Sequence, residues 1–161
     1  MKKSISLFFA LVLIGLNCFV VIAESPVMED PVSVSYTYFS DGSYLVTEIF
    51  VQKADSQKAV KGFYNEITET KVNTYYQNNT LAWKVSLTAT FAYNGTAAIC
   101  KSASVSHTIY NSAWSVYSES ASKSNNTATG QFTLRRYSAG IPIQEINRTI
   151  TMTCSGTGVV S

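Results

Sequence analysis

From Val32 onward apolar and polar residues alternate along the chain with a period of two, the pattern of strands that bury one face. "VSVSYTYF" (32–39) alternates, "SDGS" (40–43) carries an Asp-Gly reversal, and "YLVTEIFV" (44–51) returns. This predicts a first hairpin, because glycine accepts the positive φ that a tight turn requires. "ADSQKAVKG" (54–62) breaks the alternation and predicts a short helical turn, capped by Asp55 and ended by Gly62. "FYNEITETKVNTYY" (63–76), "QNNT" and "LAWKVSLTATFAY" (81–93) predict a second hairpin. In its second strand Leu81, Trp83, Val85, Leu87, Ala89, Phe91 and Tyr93 share a wholly apolar face, while the other face carries Lys84, Ser86, Thr88 and Thr90.

The Asn94-Gly95 pair predicts a two-residue turn that sets Tyr93 against Thr96, Phe91 against Ala98 and Ala89 against Cys100. Val105, His107 and Ile109 then fall on the opposite parity from Cys100. The strand is therefore either covered on both faces or bulged near residues 102–104, and the bulge is the favoured reading. Three more strands are predicted at 113–124, 127–137 and 143–154, separated by "NN" and "SAGIP". In the last, Ile146, Ile150, Met152 and Cys154 share one parity, with Arg148 as the exception. The fold class is all-β: an antiparallel two-sheet sandwich of about eight strands, with a partly closed β-barrel as the alternative. The spacing Cys100…Trp114…Cys154 resembles an immunoglobulin domain, but Met152 stands where a tyrosine corner belongs, and only seven residues follow Cys154.

The first 30 residues follow a different pattern. Lys2 and Lys3 precede an apolar run from Ile5 to Ile22, and a cut after Ala23 fits a secretory signal peptide. The competing readings are an uncleaved anchor, since the run is about long enough to span a bilayer, and a lipoprotein acylated at Cys18. Residues 1–23 are thus expected to be removed and residues 24–161 to form one secreted, extracellular domain with no membrane span. The chain has 12 Lys and Arg against 10 Asp and Glu. Lys2 and Lys3 leave with the signal, so the two signs balance, and nothing favours nucleic acid as a partner. Of three cysteines, Cys100 and Cys154 remain in the exported domain and are expected to form a disulfide. Closing a loop of about 55 residues would stabilise the fold by roughly 4 kcal/mol.

Candidate chemistry is sparse. His107 is the only histidine, and it reads as a strand residue, because no nucleophile motif accompanies it to build a triad. No cluster has zinc-ligand spacing and no Asp-rich calcium loop occurs, so neither metal nor cofactor is expected. Glu66 and Glu69 lie three apart and would point to opposite faces of a strand. Asp41, Glu48, Glu119 and Glu145 are scattered, and a glycosidase needs two carboxyls facing each other. Four Asn-x-Ser/Thr sequons, at Asn78, Asn94, Asn125 and Asn147, mostly coincide with predicted turns. The tyrosines and tryptophans cannot all be buried on alternating strands. Tyr75, Tyr76, Trp114 and Tyr117 are the candidate binding aromatics, able to stack on sugar rings or anchor a protein.

The segments "FAYNGTAAICKSASVSHTIYNSAW", "SESASKSNNTATGQFTLRRYSAGIPIQ" and "ITMTCS" resemble a family of small secreted Firmicutes proteins. The shared pattern is Tyr-Asn-Gly before Cys, Asn-Ser-x-Trp, Ser-x-Asn-Thr-Ala-x-Gly and Thr-Cys-Ser. The resemblance covers about residues 74–161; it implies a secreted bacterial protein and brings no catalytic residues. The expectation is a non-enzymatic domain that binds a glycan or a protein outside the cell. The alternatives are a membrane-active β protein, suggested by the long Ser/Thr-rich strands of residues 104–124, and a small hydrolase.

Overall fold

Period-two patterning produces eight antiparallel strands: β1 (Ser33–Tyr38), β2 (Tyr44–Gln52), β3 (Asn65–Gln77), β4 (Thr80–Tyr93), β5 (Ala98–Ile109), β6 (Trp114–Ser124), β7 (Thr127–Ser138) and β8 (Ile141–Thr153). The structure is a computed structural model that describes residues 30–52 and 65–161. The signal segment and the helical turn expected at 54–62 lie outside the described residues. Strands β1 to β5 form one sheet in chain order, and β6 to β8 form a second. The two remain separate sheets, so the chain is a sandwich and not a barrel.

Between the sheets lies the face of β4 that the alternation singled out: Trp83, Val85, Leu87, Ala89 and Phe91 are all buried. Ala128, Phe132 and Leu134 of β7 meet them, with Ile150 and Met152 of β8. Each such large side chain contributes about 1.5–3 kcal/mol by leaving water. Gly130 of β7 lets the sheets approach closely, because a Cβ there would lie 2.9 Å from Val105 and 3.4 Å from Leu87. Arg148 also faces inward, its guanidinium 5.0 Å from the Phe39 ring centre. Burial pulls its pKa below the usual arginine value.

The register after Asn94-Gly95 differs from the two-residue prediction. Tyr93 pairs with Ala98 and Phe91 with Cys100, so the reversal takes four residues. The Asn94 side chain accepts hydrogen bonds from the Thr96 and Ala97 backbone N–H groups at 3.1 and 2.9 Å. An Asx turn closed by the side chain thus wins over the tighter backbone turn. The expected bulge is present: Phe91 pairs with Cys100 but Thr90 with Ser102, leaving Lys101 as the extra residue. It turns Ala103, Val105 and Ile109 toward the core on the parity opposite to Cys100.

Cys100 and Cys154 are both free, buried thiols, so the expected bridge is not formed in the structure. Each sulfur donates to a neighbouring carbonyl, of Ser102 and Ser155 respectively, at 3.3 Å. Their backbone N–H groups donate to Asn125 and Asn126, so the tip of the β6–β7 hairpin is held by both cysteines. Burial raises both thiol pKa values.

β3 carries polar residues on its inner face. Glu69 is buried, and burial raises its carboxyl pKa, with Lys71 opposing. The Lys71 ammonium donates to the Thr151 carbonyl at 3.1 Å. An acid whose folded pKa lies above its unfolded value contributes most at low pH, and the contribution is lost as pH rises through the folded pKa. Glu69→Gln is therefore expected to raise the melting temperature more at pH 7 than at pH 4, read by thermal melts at the two pH values. An equal change at both would show that Glu69 ionises freely.

Candidate functional site

Antiparallel partners share a face, so the register maps the solvent-facing side of the five-stranded sheet residue by residue. One row across the strands reads Tyr36, Val46, Thr74, Lys84 and Thr108; the next reads Val34, Glu48, Val72, Ser86 and Ser106. On the other side of the first row lie Tyr38, Tyr44 and Tyr76.

These tyrosines form a contiguous row. Tyr44 and Tyr76 stack at 4.7 Å and 9° between planes, Tyr38 lies 5.7 Å from Tyr44, and Tyr36 stacks on Tyr38 at 6.4 Å. Tyr36 and Tyr38 are exposed, the latter to 74%. Burial chiefly raises the Tyr76 pKa, with the charges of Tyr44, Glu48, Tyr36 and Tyr110 adding to it.

Beside this row runs a groove in two adjoining parts. One, of about 380 Å³, is lined by Val34, Tyr36, Tyr44, Thr74, Tyr76 and their neighbours. The other, of about 400 Å³, continues to Ser106, His107 and Thr108 on β5. Glu48 and Lys84 line both parts. Hydroxyl pairs pave the second part and its margin: Thr70 with Thr88 at 2.9 Å, Ser86 with Ser106 at 2.7 Å, and Thr68 with Thr90 at 2.9 Å. Thr74 is only 2% exposed, and its Oγ1 is buried without a hydrogen-bond partner.

The four aromatics singled out from sequence separate into three environments. Tyr75 and Trp114, 1% and 3% exposed, sit in the core and present no ring to solvent. Tyr75 stacks on Trp83 at 4.8 Å and meets Trp114 edge-on at 5.7 Å. Strand alternation sends Tyr75 inward and its neighbour Tyr76 out to the groove. Tyr117 belongs to the other sheet, exposed but with the Arg135 guanidinium 3.4 Å from its ring centre. Sequence reasoning missed Tyr44, whose signal was its even-position parity with Tyr36 and Tyr38 across the Asp-Gly turn.

His107 at the β5 end of the groove bonds through Nδ1 to Glu119 at 2.8 Å, tying β5 to β6. Glu66 pairs with Lys101 at 2.5 Å on the face opposite to Glu69. Among the described residues, no three His, Cys, Asp or Glu gather in a metal-binding group, and no helix is long and apolar enough to cross a membrane. The site thus combines flat rings, balanced charges and hydroxyls. No family model, curated protein or solved structure matches the chain.

Proposed function

We propose that this is a secreted, non-enzymatic glycan-binding protein that acts through the tyrosine-lined face of its five-stranded sheet. The observation that carries this reading is the row Tyr38–Tyr44–Tyr76, whose rings are held on a rigid sheet beside a polar groove. Tyrosine pairs a flat apolar face, suited to the C–H face of a sugar ring, with a hydroxyl that stays wet. The hydroxyl-paved floor also suits a hydroxylated ligand better than the apolar centre of a protein partner. The N-terminal signal pattern and the resemblance to secreted Firmicutes proteins support a location outside the cell.

Affinity electrophoresis in gels cast with soluble plant and bacterial polysaccharides tests the reading. Tyr44→Ala with Tyr76→Ala is expected to weaken binding ten- to hundredfold, or about 1–3 kcal/mol. The exposed Tyr36→Ala should weaken it without altering the melt, and Tyr117→Ala should leave it unchanged. Retardation indifferent to all of these tyrosine changes would overturn the assignment of the face.

A further inference from the structure

We infer that the groove takes a linear, uncharged polysaccharide laid across the five strands, with Thr74, Glu48 and Lys84 gripping one sugar ring at its middle. This rests on the glycan reading above and adds the class of chain, its direction and its length. The direction follows from the lining, which runs from Val34 and Tyr36 on β1 to His107 and Thr108 on β5. Five strands spaced about 4.8 Å apart give a track of roughly 19 Å, the length of about four pyranose rings.

The charge class follows from the centre. Glu48 and Lys84 line both halves of the groove, and neither forms an ion pair with the other. A carboxylate only accepts hydrogen bonds and an ammonium only donates. A polyanion would gain at Lys84 and be repelled at Glu48. A neutral sugar satisfies both, because each of its hydroxyls donates and accepts.

Thr74 supplies the independent sign of a ligand. Its buried Oγ1 has no partner in the protein, a costly arrangement that valine of the same shape would relieve. It sits in the same row as Lys84 and Tyr36 and lines the same half-groove. Turned about its Cα–Cβ bond toward the groove, this hydroxyl would meet a sugar hydroxyl and complete its hydrogen bonding.

Titration calorimetry with β-1,4-linked glucose and xylose oligomers and α-1,4-linked glucose oligomers of two to six rings tests this, with oligogalacturonate as the charged series. At least one neutral series is expected to tighten with each ring up to about four and then level off, and oligogalacturonate to bind more weakly. Thr74→Val is expected to lose about tenfold in affinity, the loss of one hydrogen bond, while its melting temperature stays level or rises. Equal affinity for two and six rings, a preference for oligogalacturonate, or Thr74→Val binding as wild type would each overturn the inference while leaving glycan binding intact. No binding by any neutral series or by the polysaccharide gels would overturn both.

Discussion

Trp83→Ala lowers the unfolding free energy by about 3–5 kcal/mol, the range for removing a large aromatic from a packed core. Trp83 is fully buried near the start of β4, stacked on Tyr75 at 4.8 Å and edge-on to Trp114 at 6.3 Å. Truncation leaves a cavity between two sheets that cannot close it, because β4 is hydrogen-bonded on both sides. Trp83→Phe costs less, since the indole N–H has no acceptor and its loss removes an unsatisfied donor. Tyr38→Ala, at an exposed ring, changes stability by under about 0.5 kcal/mol. Urea denaturation of the three variants reads these differences. A cost below about 1 kcal/mol for Trp83→Ala would mean that this face of β4 is not the core.

Gly156→Ala is expected to destabilise by about 1–3 kcal/mol, through overpacking against backbone. After β8 the chain folds back on itself: Cys154 bridges Val160, Ser155 N–H donates to Val159, and Thr153 and Ser161 exchange hydrogen bonds. This tail lies over the Asn94-Gly95 turn, with the Gly95 N–H donating to the Gly156 carbonyl at 2.8 Å. A Cβ on Gly156 would sit 2.5 Å from the Thr96 carbonyl oxygen and 2.7 Å from the Ala97 nitrogen, which are backbone atoms with nowhere to go. Gly130→Ala should cost less, because its nearest neighbour is a Val105 methyl that can shift. Thermal melts of the two variants compare them. A Gly156→Ala melt matching wild type would show that the tail is not docked on the turn.

The tail also shows where local pattern stops being informative. Seven residues after Cys154 look too few to add structure, and their contribution depends on a turn some 60 positions earlier in the chain. The four-residue reversal at Asn94 is a similar case. Asn-Gly signals a tight hairpin, but the Asn94 side chain accepts bonds that hold a wider one, and the tail bonds Gly95 from outside. The bulge, by contrast, was legible, because the apolar parity changes between Cys100 and Val105 and only an extra residue restores it.

The candidate site was only partly legible. Alternation implies that Tyr75 and Tyr76 cannot share a face, but not which of them meets the second sheet. An even pair of cysteines in an exported domain, each on the apolar face of its strand, suggested a bridge across the core. Instead both cysteines hold the Asn125–Asn126 turn through their backbone, with each sulfur bonded to a neighbouring carbonyl.

The sequence by itself determined the all-β class, the eight strands, nearly all their turns and the buried face of β4. These follow from period-two burial and turn chemistry, which act over a few residues. Only the tertiary structure decided which side of the five-stranded sheet is covered by β6–β8 and which faces away from them. That choice buries Tyr75 and Trp114, and it aligns Tyr38, Tyr44 and Tyr76 from three strands into one row. Such a row depends on cross-strand register between segments tens of residues apart, and no local periodicity encodes which strands become neighbours.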